Sequence, residues 1–100
     1  MVASASGDAT VRFWQPGIGR MVRFVQHPSA VYSIAWRSPD RLLTGSRDGR
    51  VREIDVDAGT VIKEDSLTRG VLTSISATRG VPPRIVLGDS LGAIVIHALK

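Results

Sequence analysis

Short runs of alternating apolar and polar residues, rich in β-branched side chains, divide the chain into strand-sized segments. Gly, Asp, Ser and Pro interrupt these runs about every eight to twelve positions, and no convincing helix appears. The segments Val11–Trp14 and Val51–Ile54 are typical, and each follows a short polar turn, 7–9 and 47–49 respectively. This pattern predicts an all-β protein.

The strand pattern is repeated along the chain. Residues 2–14 align with residues 42–54, which places Asp8 and Asp48 at equivalent positions with an offset of 40. A weaker copy at 85–96 aligns when Leu91 takes the aspartate position, 43 residues after Asp48. Periods of about 40 to 45 residues, with four strands in each unit, are typical of β-propeller blades.

The segment Ser4–Trp14, with the sequence SASGDATVRFW, resembles the second and third strands of a WD40 repeat. The resemblance covers essentially the whole chain and is strong in the first copy, good in the second and degenerate in the third. It implies a partial WD40-type β-propeller of antiparallel four-stranded blades. The strands, labelled a to d within a blade, are expected at about 1–6, 10–15, 20–26, 30–36, 41–46, 50–55, 60–65, 71–77, 84–89 and 93–98.

This assignment divides the chain into three units. We expect an incomplete blade at 1–26 (strands b, c and d), a complete blade at 27–66, and a degenerate incomplete blade at 67–100 (strands a, b and c). Propellers typically need about four to eight blades to close. The chain is therefore expected either to be a piece of a longer propeller, which we favour because its ends look truncated, or to self-associate into a ring.

The resemblance also implies a hydrogen-bond relay of aspartate, histidine, Ser/Thr and tryptophan in each blade. The middle blade supplies Asp48, His27 and Thr44, but Ile54 occupies the tryptophan position. The first blade supplies Asp8, Ser4 and Trp14, and its histidine would precede Met1. No relay is expected in the third blade, where the corresponding residues are Thr68, Leu87, Leu91 and His97.

By residue type alone, Asp48, His27 and Thr44 could also serve as an acid, a base and a hydroxyl nucleophile. We interpret them as structural, because the relay satisfies buried polar groups and no oxyanion donors are evident. The segment 85–93 resembles the nucleophile block of GDSL-type hydrolases, with Ser90 as the nucleophile. That family has a long α/β domain with its acid and base far downstream, and only seven residues follow Ala93. We therefore expect no enzyme activity.

The resemblance places partner contacts on the rim where the d–a and b–c loops gather. In the middle blade the contact positions hold Ala30, Tyr32 and Arg47, and Tyr and Arg are enriched at binding hot spots. A plain alternative is that Tyr32 only begins a strand and Arg47 is a solvated turn residue. The equivalent positions elsewhere hold Gly7, Val71, Thr73 and Ser90. We predict a non-catalytic scaffold that binds protein partners.

Composition narrows these expectations further. Hydrophobic residues make up 43% of the 100 residues and charged residues 22%, which is typical of a soluble globular chain. The apolar run at 93–99 is too short to span a membrane, and the N-terminus lacks the features of a secretory signal. A cytoplasmic location is expected. Because there is no cysteine and the two histidines are far apart, neither a metal site nor a cofactor is predicted.

The net charge of +4 leaves one alternative partner class open. Eleven arginines are scattered along the chain, and the densest group comprises Arg37, Arg41, Arg47, Arg50 and Arg52. A basic surface permits contact with nucleic acid. Acidic residues are interleaved with these arginines, so we favour an ordinary ion-paired surface.

Overall fold

The fold is all-β, and its strands follow the alternating pattern of the sequence. A computed structural model describes residues 2–15, 17, 20–66, 70–78 and 83–98. Its ten strands are β1 (Val2–Ala5), β2 (Thr10–Gln15), β3 (Arg20–Gln26), β4 (Val31–Ser38), β5 (Arg41–Ser46), β6 (Arg50–Asp55), β7 (Thr60–Ser66), β8 (Leu72–Thr78), β9 (Arg84–Asp89) and β10 (Ile94–Ala98). The prediction of an all-β protein with ten strands is confirmed. Met1, Thr68, Leu99 and Lys100 lie outside the described residues.

The strands form three antiparallel sheets in which neighbours along the chain are neighbours in space. The first sheet has the order β1-β2-β3, the middle sheet β4-β5-β6-β7, and the third sheet β10-β9-β8. Short turns suffice for these connections because antiparallel strands need no crossover. The architecture is that of a partial propeller, with one four-stranded blade between two three-stranded ones.

The three sheets stack through two apolar clusters, one on each face of the middle sheet. One cluster joins the first sheet to the middle sheet; it contains Val11, Phe13, Val25, Val31, Leu42, Ile54 and Val56. The other joins the middle sheet to the third; it contains Leu43, Val51, Leu72, Ile85 and Leu87. Consecutive Leu42 and Leu43 enter different clusters because side chains alternate between the faces of a strand. The middle sheet is therefore covered on both faces.

Each sheet has two faces, which we name by their direction along the stack. The rear face points toward the preceding sheet and the forward face toward the following one. In the middle sheet, Leu42 and Ile54 lie on the rear face, and Leu43 and Val51 lie on the forward face. The rear face of the first sheet and the forward face of the third sheet have no sheet stacked on them within the described residues.

The turn between strands b and c has the same backbone conformation in all three sheets. Ala9, Gly49 and Gly92 each have a positive φ, of 69°, 77° and 85°. In each turn the amide of this residue donates to the carbonyl three residues earlier, at 3.1 to 3.2 Å. The three copies therefore superimpose with Leu91 at the position of Asp8 and Asp48.

None of the described residues belongs to a helix, and so the structure has no helix there that is long and apolar enough to cross a membrane.

Candidate functional site

The candidate site is the rim formed by the b–c turns and the segments that enter the inner strands. In the middle sheet the amide of Arg47 donates to the carbonyl of Ala30 at 2.9 Å, and in the third sheet Ser90 makes the same bond to Val71. The amide of Asp48 also donates to the hydroxyl of Ser29 at 3.3 Å. These bonds attach the b–c turns of the middle and third sheets to the starts of their inner strands, so that this part of the rim is held in place.

Tyr32 lies two residues after Ala30, whose carbonyl accepts from Arg47, at an irregularity in strand β4. Val31 pairs with Ser46 and Ser33 pairs with Gly45, so that Tyr32 is the extra residue of a β-bulge. A bulge redirects the side chain of the extra residue. Tyr32 is 49% exposed, although its neighbour Val31 is buried. Large aromatic rings are usually buried, and this ring is presented to solvent by the backbone itself.

The other two predicted contact residues lie at the same end of the sheet. Arg47 is exposed, and Ala30 is half-buried beneath the turn. Their backbones are hydrogen bonded, and Ala30 is two residues from Tyr32 along the chain. The structure therefore places Ala30, Tyr32 and Arg47 together on the rim.

A buried histidine joins the first sheet to the middle sheet behind this rim. His27 is 3% exposed, and its Nε2 lies 3.0 Å from Oγ1 of Thr44, a fully buried residue. Its Nδ1 lies 3.4 Å from the carbonyl of Val25. Because a carbonyl can only accept, Nδ1 carries a proton, and the threonine hydroxyl that faces Nε2 also lies 3.5 Å from the carbonyl of Arg52. Burial lowers the pKa of His27, which favours the neutral ring.

Asp48 is hydrogen bonded to a buried arginine rather than to His27. Oδ2 of Asp48 accepts from Arg52 at 2.6 Å, and Oδ1 accepts from the amide of Arg50 at 3.2 Å and from the hydroxyl of Ser46. Burial alone would raise the pKa of this carboxyl, but the bonds from Arg52 and Ser46 outweigh it and lower the pKa to about 2. Asp48 is therefore ionised at neutral pH.

Arg52 is the most important residue that sequence reasoning did not single out. It is only 3% exposed and also donates to Ser46 at 2.7 Å and to Glu64 on the outer strand at 2.7 Å. One guanidinium thus connects the turn, strand β6 and strand β7. The signal was available in the sequence, because Asp8 and Arg12 have the same spacing as Asp48 and Arg52.

The first sheet repeats this arrangement in a more exposed form. Asp8 accepts from the amide and hydroxyl of Thr10 at 3.1 and 2.6 Å, and from Arg12 at 3.1 Å. The hydrogen bonds from Thr10 and Ser6 lower the pKa of Asp8. On the same sheet the indole N–H of Trp14 donates to Ser4 at 3.1 Å.

Ile54 occupies the equivalent of the Trp14 position in the middle sheet and is fully buried. In the third sheet, Leu87 is fully buried and Leu91 is exposed at the turn. His97 is half-buried on strand β10, and Thr68 lies outside the described residues. That the relay lacks its tryptophan in the middle sheet and is absent from the third sheet stays a prediction.

Two further groups of residues bear on the alternative functions: the clustered arginines on nucleic-acid binding, and Ser90 on hydrolysis. Four of the five clustered arginines are paired with carboxylates: Arg37 with Glu53, Arg41 with Asp55, Arg50 with Glu64, and Arg52 with Asp48 and Glu64. Ser90 accepts a hydrogen bond from the amide of Val71 at 3.1 Å. The neighbouring carboxylate of Asp89 accepts from the amides of Leu91 and Ala93, as a turn residue does.

Together the stacked antiparallel sheets and their repeated turns define a partial β-propeller. Residues 19–55 match the family described as WD domain, G-beta repeat. The SIR4-interacting protein SIF2 of Saccharomyces cerevisiae (strain ATCC 204508 / S288c) is 31% identical over 83 residues, a match that covers 82% of this chain and 14% of that protein. Residues 19–55 therefore hold a WD40 repeat within a partial β-propeller.

Solved structures agree on the fold. The crystal structure of the computationally designed Ika4 protein matches with a TM-score of 0.82 and 21% identity, over 98% of this chain and 59% of that one. A crystal structure of the computationally designed Ika8 protein matches with a TM-score of 0.81 and 21% identity, over 97% and 30%. The chain thus spans less than two thirds of the length of each of these three proteins.

Proposed function

We propose that the chain is a non-catalytic scaffold that binds a protein partner through the rim of its middle sheet. The observation that carries this proposal is the exposed ring of Tyr32 at a β-bulge, beside a turn attached to Ala30. An aromatic anchor loses little conformational entropy on binding when the backbone already holds it in place. Arg47 adds a cation beside this anchor.

Two further facts support a protein partner. WD40 repeats are in general interaction scaffolds rather than enzymes, and the name of the yeast relative describes it as interacting with another protein. The carboxylates that pair with Arg37, Arg41, Arg50 and Arg52 also compete with phosphates for these cations. Nucleic-acid binding is therefore the weaker alternative.

The experiment compares two double variants in partner retention from a native extract, quantified by mass spectrometry. We expect Tyr32→Ala with Arg47→Ala to lose its retained partner about tenfold or more, the loss typical of truncated hot spots. The matched control is Val61→Ala with Lys63→Ala, which removes exposed side chains from the outer strand β7. Equal retention by the rim variant and the wild-type chain would reject the proposal.

A salt titration distinguishes nucleic-acid binding from the proposed binding of a protein partner. Binding to phosphates releases counterions and weakens steeply with salt. We expect no salt-dependent binding of duplex DNA or single-stranded RNA between about 50 and 200 mM salt. A steep negative slope that is lost in Arg47→Ala would favour the alternative.

A further inference from the structure

The b–c turn of the third sheet is stabilised by a residue at a different position from the other two turns. In the first sheet, the hydroxyl of Ser6 accepts from the amide of Asp8, and the carboxylate of Asp8 accepts from the amide two residues later. In the third sheet, the buried carboxylate of Asp89, at the position of Ser6, accepts from the amide of Leu91 at 3.0 Å and from the amide two residues later at 2.9 Å. One carboxylate thus does the work of two side chains, and the side chain of Leu91 takes no part in these hydrogen bonds.

Leu91 is therefore left as a large apolar side chain on the rim, where it is 73% exposed. The equivalent side chain of Asp8 is 51% exposed, although the middle sheet is stacked on the forward side of the first. The position is thus exposed even in a sheet that has a neighbour on its forward side. A Cβ at Gly70 would lie 3.0 Å from Cγ of Leu91, so the leucine side chain lies over the segment that enters strand β8.

Leu91 and Tyr32 lie at the same end of neighbouring sheets. The turn that carries Leu91 is attached by a backbone hydrogen bond to the residue before Leu72, which begins strand β8. A Cβ at Gly45 would lie 3.1 Å from Cβ of Leu72, and Gly45 pairs with the residue after Tyr32. Two large side chains are therefore exposed at one end of two sheets that pack together, which is typical of a binding surface.

Arg47 gives this part of the rim a positive charge. It is exposed, and no carboxylate among the described residues forms an ion pair with it, whereas the other four arginines of the dense group are paired. The carboxylates of the same two turns already have partners, Asp48 in Arg52 and Asp89 in backbone amides. An exposed cation of this kind is complementary to an acidic partner.

We propose that this part of the rim binds an extended acidic segment of a partner protein, in which a carboxylate pairs with Arg47 and a large apolar side chain packs on Leu91. The inference rests on the proposed function, because it names the chemistry of the partner at the same rim. It also adds Leu91 as a residue that determines specificity. Because the cation and the leucine lie on separate turns, the segment must carry both kinds of side chain at a matching spacing.

Peptide selection tests this proposal with a defined probe, a phage-displayed library of random dodecapeptides. We expect the selected peptides to share an Asp or Glu and, within a few positions of it, a Leu, Ile, Met or Phe. The most enriched peptide, labelled with fluorescein, is then titrated with the full chain, and fluorescence anisotropy gives Kd. Leu91→Ala should weaken binding about tenfold, and Leu91→Met should keep it. Ile62→Ala is the matched control, because it removes an exposed apolar side chain from the outer strand β7 and should leave Kd unchanged.

Double-mutant cycles between chain and peptide identify the two contacts. Replacing the acidic residue of the peptide by its amide should weaken binding to the wild-type chain about tenfold, but should have little effect on binding to Arg47→Ala. Replacing the apolar residue of the peptide by alanine should likewise weaken binding to the wild-type chain and not to Leu91→Ala. Additive effects in either cycle, a selection that enriches no acidic peptide, or equal affinity of Leu91→Ala and the wild-type chain would overturn the proposal.

Retention from the native extract distinguishes a failure of this inference from a failure of the proposed function. We expect Leu91→Ala to lose the retained partner, as Tyr32→Ala with Arg47→Ala does. If only the double variant loses it, the inference about Leu91 is wrong and the proposed function stands. If the double variant also keeps it, the proposed function is rejected, and this inference with it.

Discussion

At the scale of single residues, Asp48 shows how one side chain can stabilise a turn without covering the exposed side chains of the rim. Its carboxylate is shared among Ser46, Arg50 and Arg52, and its own backbone amide is anchored by Ser29. Arg52 is buried and has two carboxylate partners, Asp48 and Glu64, so losing Asp48 removes half of its charge compensation, which costs more than losing an exposed pair. The turn of the middle sheet therefore depends on Asp48 more than the turn of the first sheet depends on Asp8.

Asp48→Asn should lower the free energy of unfolding at pH 7 by about 1 to 2 kcal/mol, because solvent screens part of the attraction between this exposed residue and Arg52. The folded pKa of about 2 lies below the ordinary value of 3.8, so the contribution of Asp48 is present above pH 4 and is lost as the pH falls toward 2. Urea denaturation of both chains at several pH values should show the difference shrinking in acid. Burial lowers the pKa of His27, so stability also falls below its ordinary value of 6.5 in both chains, and more in Asp48→Asn, because the charge of Asp48 favours the protonated ring.

The control is Asp8→Asn, which breaks the exposed pair with Arg12 and should cost less than Asp48→Asn. An equal loss in the two variants would contradict the special position of Arg52.

Ala9 adopts a backbone conformation that favours glycine. Its φ of 69° places the Cβ atom close to backbone atoms, whereas Gly49 has the equivalent φ of 77° without a Cβ. Ala9→Gly should raise the free energy of unfolding by about 0.5 kcal/mol, because the relieved strain exceeds the added entropy of the unfolded chain. Gly49→Ala should lower it by about 1 kcal/mol. Urea denaturation of both variants checks the pair, and a loss of stability in Ala9→Gly would be the contrary result.

At the scale of the strand, the sequence predicted well where each strand begins and ends. It predicted poorly which polar side chains are hydrogen bonded to each other. The alternating pattern and the repeated turn predict the ends of all ten strands to within about two residues. The largest difference is in strand β4, which runs to Ser38 rather than to residue 36. A bulge at Arg37 lets Ser38 pair with Arg41. The burial of Arg52 was missed, because arginines are almost never fully buried unless they are paired. The division of the chain at 26/27 and 66/67 stays a prediction.

Strands β5 and β9 are equivalent b strands that differ in how closely another sheet approaches them. A Cβ at Gly45 would lie 2.6 Å from Oγ of Ser33 and 3.1 Å from Cβ of Leu72 in the third sheet. A Cβ at the equivalent Gly88 would meet only the hydroxyl of Ser74 at 2.6 Å, and Ser74 is exposed. We expect Gly45→Ala to lower the free energy of unfolding by about 2 kcal/mol and Gly88→Ala by less than about 1 kcal/mol. Thermal unfolding of the two variants measures this, and equal losses would show that the approach of Leu72 is not limiting.

At the scale of the whole molecule, the middle sheet holds the other two together. Both of its faces carry apolar clusters, and the first and third sheets each pack on one of them. Strands β5 and β6 have hydrogen-bonded neighbours on both edges, whereas β1 and β10 each have one edge without a partner strand among the described residues. Stability should therefore decrease from the centre of the stack toward its ends.

Amide hydrogen exchange, followed residue by residue, tests this gradient. We expect amides in β5 and β6 to exchange at least roughly tenfold more slowly than those in β1 and β10. Uniform protection across the three sheets would mean that they unfold as one unit.

The rim turn tolerates very different side chains at its tip, since Gly7, Arg47 and Ser90 precede positions held by Asp8, Asp48 and Leu91 in the same backbone shape. In the middle sheet the shape is set by the backbone bonds and the positive φ, so the exposed side chain of Arg47 can change at little cost to folding, whereas the hydroxyl of Ser90 in the third sheet also accepts from the amide of Val71. Under the proposed function, substitution of that one side chain changes what the chain recognises while the backbone of the turn is kept. Libraries randomised at Arg47 should accordingly yield folded proteins in most clones, except with proline, because the amide of Arg47 donates to Ala30.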